Sequence, residues 1–125
     1  MFSDKQNTIA NEISFSGIGL HSGKETNVNL YPAPDNHGII FRRSDIADKN
    51  NVIIADYRNV TKAQLGTTIS NSDQVSVSTI EHFMAAIWGS RINNLIIELD
   101  GEEMPIVDGS SEPFVFLLES AGVKK

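Results

Sequence analysis

Hydrophobic residues recur along this chain mostly with a period of two, and in two places with the period of a helix. Residues 8–20 alternate roughly, with Ile13 and Phe15 on one face, and a second run puts Thr26, Val28 and Leu30 on one face. His21-Ser22-Gly23-Lys24 lies between them, so the two runs predict a β-hairpin. Pro32 to Gly38 predicts a loop from its Pro, Asn and Gly content. Residues 38–43 predict a third strand, apolar first and cationic at its end. Shorter strands are predicted at 52–55 and 67–70, the latter followed by a turn at Asn71-Ser72-Asp73, within an otherwise weak pattern from Asp56 to Gln74. Residues 94–99 (Asn-Leu-Ile-Ile-Glu-Leu) give the clearest strand, rich in branched side chains.

The helical period appears first at residues 77–89. At about 100° per residue, Ile80, Phe83, Met84, Ile87 and Trp88 form one apolar stripe, opposite His82, Ala85, Ala86 and Gly89. A helix that is apolar on one side and small on the other is expected to be covered on both. A last helix is predicted from near Pro113, burying Phe114, Leu117 and Leu118 and stopping at Gly122. Asp108-Gly109-Ser110-Ser111 before it reads as a turn and an N-cap, with Asp108 there for the turn rather than for catalysis. The expected fold is α+β, a largely antiparallel or mixed sheet with two short helices packed on one face. Residues 1–125 read as a single domain without repeats or linkers, and the end three residues after Gly122 reads as a domain edge.

Composition narrows the function. A chain of 125 residues supports one real core. Its formal net charge of −6 argues against nucleic acid and against docking on anionic membranes. With no cysteine, any metal site must use His, Asp or Glu, and the histidines are His21, His37 and His82. Residues 1–6 lack a signal peptide's basic and apolar regions, and no apolar run reaches membrane-spanning length, so the expected location is cytoplasmic.

Glu81 and His82 stand side by side at the front of the first helix. Two readings stand for them. Ser78-x-x-Glu81 matches a capping box, with His82 an ordinary helix-end histidine. Alternatively Glu81 is a general base and His82 a metal ligand, the carboxylate taking a proton from an activated water. His21-x-x-x-Glu25 has ligand-like spacing but begins in a Gly-flanked turn, which speaks against a metal pair. His37 reads as a solvated loop histidine, and Arg42 and Arg43 as a solvated strand end or a site for a diphosphate.

Four segments together resemble one family: Gly17-Ile18-Gly19-Leu20-His21-Ser22-Gly23, Thr67-Thr68-Ile69, Ser78-Thr79-Ile80-Glu81-His82, and Pro105 to Ser110 followed by Pro113 to Leu117. In order and spacing they look like the N-terminal domain of the UDP-3-O-acyl-N-acetylglucosamine deacetylases, zinc amidohydrolases of lipid A biosynthesis in Gram-negative bacteria. The likeness runs from about residue 8 to residue 123. It implies one half of a two-domain β-α-α-β sandwich, with the active site at the junction. It also implies catalytic Glu81 as general base and His82 as a Zn2+ ligand, the remaining ligands, a His-x-x-x-Asp pair, coming from the C-terminal domain. That domain's further histidine would act as acid or oxyanion stabiliser. Leu20, His21, Leu65 and Gly66 fall where the family lines the approach to zinc and the acyl chain. Leucines 20 and 65 read equally well as core, and His21 as a turn histidine.

One large departure from the family is expected, since these 125 residues leave no room for the C-terminal catalytic domain. With His82 alone as a good ligand, weak zinc binding and no activity are expected of these residues by themselves. Their partners would be the UDP-3-O-acyl-GlcNAc substrate and the missing domain. The alternative is a free-standing binding or assembly module of the same fold. Such a module should have lost the catalytic pair, and Glu81 and His82 are both present. A dimer completing the site in trans fails, since each copy offers one good ligand.

Overall fold

The computed structural model describes residues 6–61, 67–105 and 112–124. Strands β2 (Ile13–Ile18) and β3 (Glu25–Pro32) form the expected hairpin, pairing Ile13 with Leu30 and Ile18 with Glu25. β9 (Leu95–Leu99) lies antiparallel to β3 and parallel to β4 (Ile39–Arg43), and β5 (Val52–Ile54) closes the far edge. The sheet order β2-β3-β9-β4-β5 is therefore mixed. Period-two alternation turns Val28, Leu30, Phe41, Ile53, Leu95, Ile97 and Leu99 inward, all fully buried. The outward positions pair polar groups instead, as where Arg42 grips the Glu98 carboxylate and Tyr31 donates to it.

Helices α1 (Glu81–Gly89) and α2 (Glu112–Ala121) pack on the inner face, so the α+β expectation holds. Phe15 of β2 sits 6.5 Å from Phe83 of α1 and 5.9 Å from Phe114 of α2, and Phe83 and Phe114 meet edge to face at 5.2 Å. α2 starts at Glu112, with the expected Pro113 in its first turn, and is followed by Gly122 at φ +78°. α1 is followed by a Schellman turn. The Arg91 N–H donates to Trp88 O and the Ile92 N–H to Ile87 O, with Arg91 rather than a glycine in the left-handed position at φ +58°.

Three expectations are corrected. Residues 8–20 are not one strand: Thr8–Ile9 forms β1 with β10 (Val123–Lys124), and the chain turns before β2. The weakly patterned segment holds a 3-10 turn (Tyr57–Asn59) and β6 (Val60–Thr61), which pairs with β7 (Thr68–Ser70), itself paired with β8 (Ser76–Val77). Finally, α1 is not covered on both sides within this chain. Trp88 is 69% exposed, with Ala85 and Gly89 also open, because Trp88 lies about 80° round from Ile80, at the edge of the stripe.

Candidate active site

The approach to α1 explains where Glu81 and His82 point. Ser78 is locked by a short parallel bridge, its N–H donating to Glu102 O at 2.8 Å and its carbonyl accepting from the Met104 N–H at 3.0 Å. Thr79 then takes φ +59°, a left-handed conformation that costs a β-branched residue about 1–2 kcal/mol. Ile80 follows as an N-cap residue without a side-chain cap bond, its N–H reaching Thr67 O at 3.4 Å. The helix therefore begins at Glu81, and the capping box does not form. Ser78 Oγ donates instead to Glu102 O. Freed from a capping role, the exposed Glu81 carboxylate accepts one long bond among the described residues, from the Thr67 N–H at 3.3 Å. A negative charge at this first-turn position is favoured by the helix dipole.

His82 is half-buried, and its Nδ1 is enclosed with no hydrogen-bond partner among the described residues. A buried polar atom left unpaired costs about 1–3 kcal/mol, so a ring held this way fits a role other than stability, such as a ligand position. No three His, Cys, Asp or Glu side chains gather into a metal site among the described residues.

Glu81 opens onto an apolar cavity of about 270 Å³ walled by Ile69, Ile80, Met84 and Trp88, with Val60 and Asp56 at its side. The Asp56 carboxyl is pulled down to about 2 by its bonds from the Arg58 guanidinium and N–H, so it stays ionised. His21 faces a different hollow, of about 290 Å³, with Ser22, Thr68, Ser76, Ser78, Glu102 and Glu103. His21 is exposed, as is Leu20 at 63%, which settles Leu20 as surface rather than core. Leu65, Gly66 and Asp108 lie outside the described residues. Glu25 is exposed at the start of β3 and joins no group of three or more potential metal ligands among the described residues, while His37 is half-buried with Nδ1 3.2 Å from Gly38 O. Arg43 is not a solvated strand end. It is 8% exposed, gripping the Asp45 carboxylate and donating to Ser76 O, which ties β4 to β8.

Sequence reasoning missed Glu103. Its carboxylate is 3% exposed and accepts from the Ser22 N–H at 2.8 Å, the His21 N–H at 3.0 Å and the Thr79 hydroxyl at 2.9 Å. Burial pushes this carboxyl up, but the Ser22 and His21 amides and the Thr79 and Ser22 hydroxyls outweigh it and hold it below its ordinary value. The available signal was Gly19: a Cβ there would overlap the carboxylate, so a glycine marks its close approach.

The fold and site define a class, an α+β domain that presents a carboxylate and an imidazole together at a helix start. The chain belongs to the UDP-3-O-acyl N-acetylglycosamine deacetylase family, whose family model matches residues 6–125. It is 48% identical over 122 residues to the UDP-3-O-acyl-N-acetylglucosamine deacetylase of Idiomarina loihiensis, covering 97% of this chain and 39% of that protein. Proteins of the same name from Pseudoalteromonas atlantica (46% over 121 residues, 97% of this chain, 40% of the relative) and Teredinibacter turnerae (47% over 121 residues, 97% and 39%) are similar to it. The chain thus spans 39–40% of the length of these relatives. No described helix is long and apolar enough to cross a membrane.

Proposed function

We propose that these residues are the N-terminal domain of a cytoplasmic zinc-dependent amidohydrolase that removes the N-acetyl group from UDP-3-O-acyl-GlcNAc in lipid A biosynthesis. The observation that carries this is the Glu81–His82 pair, in which, among the described residues, a lightly bonded carboxylate stands beside an imidazole whose buried Nδ1 lacks a partner. The shared name of relatives 44–48% identical over 97% of the chain supplies the substrate. His82 would hold the zinc ion together with residues of a second domain, which also supplies the rest of the active site. Bound there, zinc would lower the pKa of a water and polarise the amide carbonyl. Glu81 takes the proton from the attacking water as its oxygen bonds to the acetyl carbon. It then delivers that proton to the leaving nitrogen as the C–N bond breaks, giving acetate and a free 2-amino group. Leu20, His21, Leu65 and Gly66 line the substrate's approach in this reading, and the exposed side of α1 is free to face the second domain.

The test is acetate release from UDP-3-O-acyl-GlcNAc by the full-length protein with Zn2+. Glu81→Gln is expected to lower kcat by about 10²- to 10⁴-fold, the usual share of a general base. His82→Ala is expected to abolish turnover, and residues 1–125 alone to be inactive. An inactive full-length protein, or an active 125-residue chain, overturns the reading.

A further inference from the structure

Glu103 is the most deeply buried charged side chain among the described residues, and the chemistry above does not use it. A carboxylate stays ionised in such a place only where donors replace the lost water. Here the donors come from two separate segments. The His21 and Ser22 amides belong to the β2–β3 turn, whereas the Thr79 hydroxyl belongs to the linker two residues before Glu81. Around Thr79 the backbone is already fixed, at Ser78 by Glu102 and Met104, and at Ile80 by Thr67. Thr79 must reverse the chain between those two anchors, and it does so at φ +59°, which its branched side chain disfavours. Strain of this kind persists where surrounding bonds over-determine it. A bond from the hydroxyl to a buried charge is a strong one of that kind.

We propose that Glu103 is a positioning residue for Glu81 and His82. By holding Thr79 in its left-handed turn and the His21 turn against it, one carboxylate sets where α1 begins and so where both side chains point. The proposal rests on the reading of Glu81 and His82 as the reacting pair. Gly19 belongs to the same device, since only a residue without a Cβ leaves room for the carboxylate. A carboxylate that merely glued the turn would need no contact with the helix linker.

The test is Glu103→Gln in the full-length protein, which keeps the volume but sets an amide NH2 against donors. Thr79→Val, which removes the hydroxyl and keeps the shape, serves in its place if the first variant does not fold. Amide resonances of Glu81 and His82 are expected to move while that of Ile53, on the far edge of the sheet, stays. In turnover, kcat is expected to fall about ten- to a hundredfold, as misplacement of reacting groups does, with KM within about threefold. That loss should shrink in a Glu81→Gln background, because part of it acts through Glu81 and the rest through His82. Unmoved Glu81 and His82 amides overturn the proposal, as does a kcat loss that persists undiminished without Glu81. If wild-type protein shows no deacetylation, the function proposed above falls, while the amide shifts still decide the positioning role.

Discussion

Gly19→Ala is the sharpest test of the buried carboxylate's hold on the fold. The added Cβ would overlap Glu103 Oε1 and stand 2.5 Å from Ser22 Oγ and 3.0 Å from Glu103 Cδ. A carboxylate at the end of a free side chain would swing aside at little cost. This one is pinned at 2.8 Å by the Ser22 N–H, at 3.0 Å by the His21 N–H and at 2.9 Å by the Thr79 hydroxyl, with almost no exposure to water. Moving Oε1 breaks the Ser22 bond and weakens the His21 bond. Each hydrogen bond to a charged group is worth about 1.5–3 kcal/mol, so the loss should be about 2–4 kcal/mol. In thermal unfolding of the 125-residue chain, followed by circular dichroism, that corresponds to a Tm lower by about 8–16 °C, at about 4 °C per kcal/mol. Gly89→Ala is the control. Beyond its own helix and chain neighbours, no atom of the described residues lies within 4 Å of a Cβ there, and removing a glycine from the end of α1 should leave stability unchanged or raise it by up to about 1 kcal/mol. If Gly19→Ala unfolds within about 0.5 kcal/mol of wild type, the carboxylate is not pinned and the reasoning fails.

Other consequences follow from the same structure. Because the Glu103 carboxyl is held below its ordinary value, its contribution is complete above the unfolded pKa of about 4.3 and is lost as pH falls through the lower folded value. Denaturant titrations should show Glu103→Gln less stable than wild type at pH 7, with the gap closing below about pH 4, and a pH-independent gap would contradict this. Phe83→Ala empties the centre of the Phe15–Phe83–Phe114 cluster and should cost about 3–5 kcal/mol in urea unfolding. Phe116→Ala, removing a side chain as exposed as Trp88, should change the stability of this chain by less than about 0.5 kcal/mol. Arg91→Gly relieves the left-handed position after α1 and should raise stability by about 0.5–1 kcal/mol, and a loss would mean the Arg91 side chain holds the turn.

The elements legible in the sequence are those whose reasons are local. Alternation along β3 and β9 is set by the pleat, so the buried Val28, Leu30, Leu95 and Ile97 could be picked out from spacing alone. α2 was bounded by a proline that suits a first turn and a glycine that takes positive φ, both properties of single residues. The Glu81–His82 pair was visible as a dipeptide and meaningful through its company of motifs. Its carboxylate's release from capping was not. That depends on Ser78 being drawn into a bridge with Glu103, twenty-odd residues away in sequence.

What the sequence by itself determined is therefore the α+β class, the inward faces of the strands, the core of both helices and the identity of the candidate reacting pair. Only the tertiary structure decided that residues 8–9 leave the hairpin to pair with the end of the chain, that Trp88 faces outward, and that Arg43 and Glu103 are buried. For Arg43 and Glu103 the physical reason is shared. A charged side chain has no local signature of burial, because its solvation is replaced by donors or acceptors from distant segments. Glu103 becomes a buried anion only once the His21 turn and the Thr79 linker meet around it.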